Sequence, residues 1–238
     1  MKFHVSELVF EVTRRCNMTC EHCLRGEPQK LDLSKEIINT VFDNVTSLGQ
    51  ITFTGGEPSL VPGVIQYCVD QIRERKIYLD GFYIVTNGKI VSKELVFALI
   101  DLYALCSDYD EGMCTLTMSR DQYHDTVEVP HLYKALKFFS ADARNVEINW
   151  DALIKDGRAS GFGRRVKQQD PWEIKVYEHV SGETSLTVGN SLYIAANGNV
   201  ISGCDFSYER IDSECVGNVL KEPLVEIVSR FVKEEVEA

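Results

Sequence analysis

The sequence predicts an α/β fold: a partial (βα)6 TIM-like barrel followed by a short C-terminal hairpin-plus-helix extension. Two observations lead there. Short β-branched runs alternate with stretches whose apolar residues recur at helical spacing, which is the pattern of parallel β-α units. At 238 residues, 44% of them hydrophobic, the chain suits one sizeable domain with an appendage and is short for two of ordinary size. The expected division is 1–180 for the barrel core and 181–238 for the extension.

The elements follow in order. Leu8-Val9-Phe10-Glu11-Val12 is the first strand. Ser34 is placed to cap a helix through Ile37, Ile38, Val41, Phe42 and Val45, ending near Gly49. Ile51–Thr54 forms the second strand, and a helix with Ile65, Cys68, Val69 and Ile72 on one face follows it. Phe82–Thr86 is the third strand; Ser92 caps the next helix, which carries Leu95, Leu99, Leu102, Tyr103 and Cys106. Met113–Met118 gives the fourth strand, about 132–139 its helix, Val146–Trp150 the fifth strand and Ile174–Val180 the sixth. Leu192–Ile201 reads as a hairpin around an Asn-Gly turn, and the last helix presents Leu224, Ile227, Val228 and Phe231. Cys68, Cys106 and Cys114 fall inside apolar stretches and are expected in the core, where a thiol behaves as a small hydrophobe.

Charge narrows the function classes. A formal net charge of −11 argues against a nucleic-acid partner, because phosphate binding depends on clustered Lys and Arg. The basic stretch Arg158–Lys167 is too short to reverse that balance. The amino terminus has neither a basic n-region nor an apolar h-region, and no run approaches the ~18 apolar residues of a membrane span. With eight cysteines and no secretory signal, the sequence points to a cytoplasmic, reducing setting without membrane contact, where free thiols persist.

Three of those cysteines carry the chemistry. Cys16, Cys20 and Cys23 follow the first strand with three and then two residues between them. Iron–sulfur clusters are normally held by four thiolates, so a cubane held by three leaves one iron free for an outside ligand. A partial zinc site is the alternative, but zinc sites commonly repeat a two-residue Cys spacing downstream, and no second pair occurs here.

In a barrel of parallel strands, functional residues lie at the carboxyl ends of the strands. Polar motifs stand at those ends: Thr54-Gly55-Gly56-Glu57-Pro58 after the second strand, Thr86-Asn87-Gly88 after the third, and Ser119-Arg120-Asp121 with Tyr123 and His124 after the fourth. The glycine pair allows close backbone approach to a ligand, and carbonyls with the Glu57 carboxylate can accept hydrogen bonds from an ammonium group.

The Cys-x3-Cys-x2-Cys spacing, with the Gly-Gly-Glu-Pro segment about 30 residues on, resembles the radical S-adenosylmethionine (SAM) enzymes. That resemblance implies one 4Fe-4S cluster on Cys16, Cys20 and Cys23, with SAM chelating the open iron. It implies a SAM site comprising His22, whose ring would pack against adenine, Thr54, Gly55, Gly56 and Glu57 around the methionine amino group, and Asn87 and Ser119. His22 also remains a conceivable fourth ligand, which would close the open iron. Asp156-Gly157-Arg158-Ala159 is similar to an element that follows the fifth strand in relatives bearing a SPASM or twitch extension, where Arg158 would meet the SAM carboxylate or else remain a surface arginine.

The tail resembles that extension in reduced form. It offers only Cys204 and Cys215, too few for an auxiliary cluster. The implied activity is reductive cleavage of SAM to a 5′-deoxyadenosyl radical, which abstracts hydrogen from a substrate. The electron would come from an external one-electron reductant of flavodoxin or ferredoxin type. The substrate would be a ribosomal peptide, recognised through a separate protein because no peptide-binding module precedes the first strand, or else a small metabolite. Tyr123, His124, Asn149, Asp151 and Lys155 are the expected substrate-facing residues. A non-catalytic electron-transfer protein is the competing class.

Overall fold

The computed structural model describes residues 2–106, 113–141, 153–161, 173–181 and 183–232. Its frame is one nine-stranded sheet. Strands β1 (Lys2–Thr13), β2 (Val45–Gly55), β3 (Tyr78–Thr86), β4 (Cys114–Met118) and β5 (Phe139–Ala141) lie side by side and parallel. Helices α1 (Lys35–Phe42), α2 (Pro62–Arg75) and α3 (Lys93–Tyr103) make the successive crossovers. The predicted caps are in place: Ser34 Oγ accepts from the Ile37 N–H and Ser92 Oγ from the Leu95 N–H, satisfying donors that a helix start leaves open.

The carboxyl half of β1, Leu8–Val12, is apolar but for Glu11, because both of its faces are covered as a central parallel strand requires. Leu8, Phe10 and Val12 turn toward the helices and join Ile37, Ile38, Val41 and Phe42 in the main core, where the Phe10 and Phe42 rings meet edge to face at 5.6 Å. Val9 faces the other way, into a smaller cluster with Tyr193, Phe206, Tyr208 and Ile211. Cys68, Cys106 and Cys114 are buried in the main core as the apolar spacing indicated.

The second side of β1 is occupied by β7 (Glu183–Ile194), which runs parallel to it with Leu8 opposite Leu192. Strand β6 (Val176–Ser181) returns antiparallel on β7, and β8 (Asn199–Ser202) and β9 (Gly217–Asn218) continue the sheet outward. The hairpin at Asn197-Gly198 forms as predicted, with Gly198 at φ +86°. Two short helices, α5 (Tyr208–Ser213) and α6 (Leu224–Ser229), complete the tail, and Leu224, Ile227 and Val228 are fully buried.

Several boundaries differ from the sequence reading. The first helix stops at Phe42, and Val45 opens β2, because a β-branched residue beside β1 gains more from the sheet than from another helical turn. The helix expected over about 132–139 shrinks to α4 (His131–Lys134), and Phe139 pairs with Leu116 instead. The open edge of β4 recruits the aromatic pair, a tertiary gain that local propensity does not register. The sixth strand is present but antiparallel, so it belongs to a hairpin and does not make a sixth parallel unit. The expected fifth strand, Val146–Trp150, lies outside the described residues. No helix among the described residues is long and apolar enough to cross a membrane.

Because β7 shares the main core, core and extension should unfold together. Leu192→Ala removes a fully buried side chain and is expected to cost about 2–5 kcal/mol. Chemical denaturation followed by circular dichroism and by hydrogen exchange of the tail amides should show one transition shifted as a whole; an early transition confined to the tail would mean that the extension folds by itself.

Candidate active site

The three cysteines sit on a loop that leaves the end of β1. Its base is tied like a short ribbon: the Arg14 N–H donates to the Leu31 carbonyl (2.8 Å), the Gln29 N–H to the Arg14 carbonyl (2.9 Å) and the Leu33 N–H to the Val12 carbonyl (3.0 Å). Thr13 Oγ1 adds a 2.6 Å bond to Asp32.

The glycine pair locks this base to the end of β2. The Gly56 N–H donates to the Thr13 carbonyl (2.7 Å) and the Glu57 N–H to the Arg15 carbonyl (2.8 Å). A Cβ on Gly56 would lie 2.1 Å from the Arg15 carbonyl oxygen, and Gly55 holds φ +134°. Close approach is therefore what these glycines provide, but the partner they approach is the backbone that leads into Cys16.

Glu57 has a comparable structural duty. Its carboxylate is 2% exposed and accepts from the Ser59 N–H (3.0 Å), Thr86 Oγ1 (2.7 Å) and the Asn87 N–H (2.8 Å). Three of its roughly four acceptor positions are thereby taken. The Asn87 side chain in turn donates to Asn17 Oδ1 (2.8 Å), tying the end of β3 to the cysteine loop.

The far end of the loop is held from below. The Arg158 N–H donates to the Cys23 carbonyl (2.9 Å), and a Cβ on Gly157, which sits at φ +53°, would meet the Leu24 carbonyl at 2.3 Å. The Arg158 guanidinium faces the same space as the thiols; its Nε is buried with no hydrogen-bond partner among the described residues, and its Nη1 lies 3.8 Å from the exposed Glu27 carboxylate.

His22 stacks on Tyr123 at 4.6 Å between centroids, and its Nε2 is 3.7 Å from Asp121. Burial holds the His22 pKa below its ordinary value against the pull of Asp121. Asp121 stays low despite its own burial, through contact with His124 and the Tyr123 N–H. Burial pushes the Cys16 thiol up, and burial together with the neighbouring thiols pushes Cys20 up to about 11. Crowded thiols of this kind become good ligands once metal charge offsets their mutual repulsion.

The three thiols, the glycine pair and the Arg158 guanidinium open into one cavity of about 360 Å³ at the carboxyl ends of the parallel strands. Its lining includes Cys16, Cys20, Cys23, His22, Thr54, Gly55, Gly56, Glu57, Asn87, Ser119 and Arg158, the residues that the sequence reading gave to the cluster and to SAM. Met18, Arg25, Thr86 and Asp205 join them; for Arg25 and Asp205 no motif gives a signal. Of the expected substrate-facing residues, His124 lines the cavity, Tyr123 backs His22, and Lys155 is exposed away from it. Asn149 and Asp151 lie outside the described residues.

The donor set suits a multi-iron cluster better than a single ion. Among the described residues, the ligand atoms that converge within 4.8 Å are those of His22, Asp121 and His124, not the three thiols, whereas one zinc would draw its sulfurs to about 2.3 Å from a common centre. Cys204 is half-buried against the small cluster, and the Cys215 thiol contacts the Asp212 carbonyl.

No family model matches the chain. It is 40% identical over 68 residues to the GTP 3′,8-cyclase of Streptomyces coelicolor, covering 25% of this chain and 20% of that protein. Its fold matches anSMEcpe, solved with bound AdoMet and a Cp18Cys peptide, at a TM-score of 0.56 and 14% identity, covering 96% of this chain and 82% of that one. A second solved structure of like fold is Streptococcus suis SuiB bound to its precursor peptide SuiA, with a TM-score of 0.54 and 12% identity over 93% of this chain and 64% of that one. The chain spans between 15% and 36% of the length of the curated relatives it matches.

The glycine contacts yield a paired test. Gly56→Ala should lower the melting temperature and abolish iron incorporation during anaerobic reconstitution, because backbone must move to admit the methyl group. Gly63→Ala, in α2 with nothing within 4 Å of the added carbon, should be neutral or stabilising by up to about 1 kcal/mol. Normal iron incorporation by Gly56→Ala would show that the loop tolerates a shift at its base.

Proposed function

We propose that the chain is an enzyme that holds one 4Fe-4S cluster on Cys16, Cys20 and Cys23, binds SAM in the adjoining cavity, and directs radical chemistry at a peptide. The observation that carries this reading is the convergence of three thiols, the Gly-Gly-Glu segment, Asn87, Ser119 and Arg158 on one cavity. When bound, cluster and SAM supply reductive cleavage of the sulfonium C–S bond and a 5′-deoxyadenosyl radical. The chain's own residues bind, orient and exclude solvent.

In this reading the Thr54–Gly56 backbone faces the amino group of SAM. With Glu57 largely engaged by Ser59, Thr86 and Asn87, main-chain carbonyls are the acceptors left for an ammonium group. Arg158 offers its unpartnered Nε to a carboxylate, which a planar guanidinium suits. His22, backed by Tyr123 and neutral at ordinary pH, presents an uncharged ring to adenine. Asn87 and Ser119 line the remaining wall.

A peptide substrate is favoured because SuiB and anSMEcpe were both solved with peptides. The likeness to a GTP 3′,8-cyclase favours a small molecule as the second reading. The electron is assigned to an external reductant of flavodoxin or ferredoxin type, since two tail cysteines are fewer than the four thiolates that a second cluster normally takes. The tail, 181–238, is accordingly read as a reduced SPASM- or twitch-like extension.

Anaerobic reconstitution, then dithionite and SAM, should yield 5′-deoxyadenosine. Cys20→Ala should abolish that product, and Cys68→Ala, a core substitution, should retain it. Iron analysis should return about four irons per chain. An intact cluster that forms no 5′-deoxyadenosine would overturn the enzyme reading, and about eight irons would overturn the single-cluster one.

A further inference from the structure

The cysteine loop contains little structure of its own. Between Cys16 and Gly26 its backbone makes two internal turn bonds, Cys23 to Cys20 (3.2 Å) and Gly26 to Cys23 (3.4 Å). Something outside must fix its shape.

Two arginines flank it, Arg14 two residues before the first cysteine and Arg25 two residues after the last. Both reach the same place. Arg14, 1% exposed, donates from Nη1 and Nη2 to the two oxygens of Asp212 at 2.8 Å each, and from Nε to Glu11 at 2.6 Å. Its guanidinium lies over the Tyr208 ring at 4.7 Å. Arg25 donates from Nη1 to the Phe206 carbonyl (2.8 Å), its own carbonyl accepts from the Tyr208 N–H (3.1 Å), and its guanidinium faces the Tyr193 ring at 5.2 Å.

The intervening residue of the tail is anchored as well. The Ser207 N–H donates to Asp156 Oδ2 (2.8 Å), one residue from the Gly157-Arg158 step that supports Cys23. Residues 206–212 therefore hold both ends of the loop and the element beneath it.

We propose that this tail segment is a clamp on the cluster loop, with Asp212, acting through Arg14, and the Phe206–Tyr208 backbone, acting through Arg25, as positioning groups that keep the three thiols arranged for the cluster. The proposal rests on the cluster assignment above. It gives the tail a task that needs no second cluster: the loop's ordering entropy is met by the clamp before iron binds, as preorganisation generally acts. Bidentate Arg–carboxylate geometry suits the role, because it fixes direction as well as distance. The two aromatic rings keep water from the guanidinium groups.

The test uses the reconstituted full chain and a ferrous chelator in excess, with release of iron followed by absorbance. Asp212→Asn, which takes an acceptor from the buried Arg14 guanidinium, and Arg25→Met, which removes the bond to the Phe206 carbonyl, should release iron about tenfold faster or more than wild type. Addition of SAM should perturb their electron paramagnetic resonance signal less. Asp212→Glu, which keeps the carboxylate, should recover much of the wild-type rate. Leu224→Ala, a buried residue of α6 remote from the loop, serves as the control, compared at equal loss of melting temperature. Iron release by both clamp variants no faster than by Leu224→Ala would overturn the clamp and leave the cluster assignment standing. A wild-type chain that takes up no cluster would remove both.

Discussion

The ends of β1 and β2 are joined by backbone alone, and the site is built outward from that join. Two main-chain bonds, from Gly56 to Thr13 and from Glu57 to Arg15, fix where the chain stands one residue before Cys16. Such contact is possible only where no side chain intervenes, so the two glycines are a geometric requirement of the site. Glu57 extends the lock to β3, because a carboxylate withdrawn from water must be surrounded by donors, and the available donors belong to Ser59, Thr86 and Asn87. Three successive strand ends thus reach fixed positions before any ligand enters the cavity.

Charge buried beneath the small aromatic cluster makes a second fixed point. Glu11 is fully buried and is answered by Arg14, the Tyr193 hydroxyl (2.7 Å) and the Ala196 N–H (3.1 Å). An arrangement of this sort adds little net stability over a well-packed apolar equivalent, yet it penalises every alternative in which a partner is missing. Its partners come from β1, β7 and α5, so it selects the single register in which the tail meets the loop. Glu7, four residues earlier on the same face of β1, repeats the theme, accepting from Thr52 (2.9 Å) and Ser191.

Much of this was legible in the sequence, and the parts that were not have a common cause. Helical caps at Ser34 and Ser92, the Asn-Gly hairpin and the cysteine spacing are local statements, readable because the interacting residues are neighbours in the chain. The short α4, the pairing of Phe139 with Leu116 and the early start of β2 are decided by a neighbouring strand, which no window of sequence contains. The site divides similarly. The motifs identified which residues gather at the cavity, but not that the Gly-Gly pair approaches the loop backbone, nor that Glu57 is occupied by protein donors. Arg14 and Arg25 carried no pattern, because their meaning depends on tail residues 198 and 181 positions away, and Asp205 carried none because it reaches the cavity from that tail.

The pairing of β7 with β1 gives the molecule an unusual order of assembly. Strand β1 lies inside the finished sheet, yet one of its two neighbours is the segment from Glu183 to Ile194. On the ribosome, a chain that has exposed all three thiols and the first three helices still presents β1 as a raw edge, open to mispairing. Such distant pairing is slow to form. The cysteine loop likewise waits for its two anchors until residues 206–212 have been synthesised, so topology alone sets the order in which sheet and site are completed.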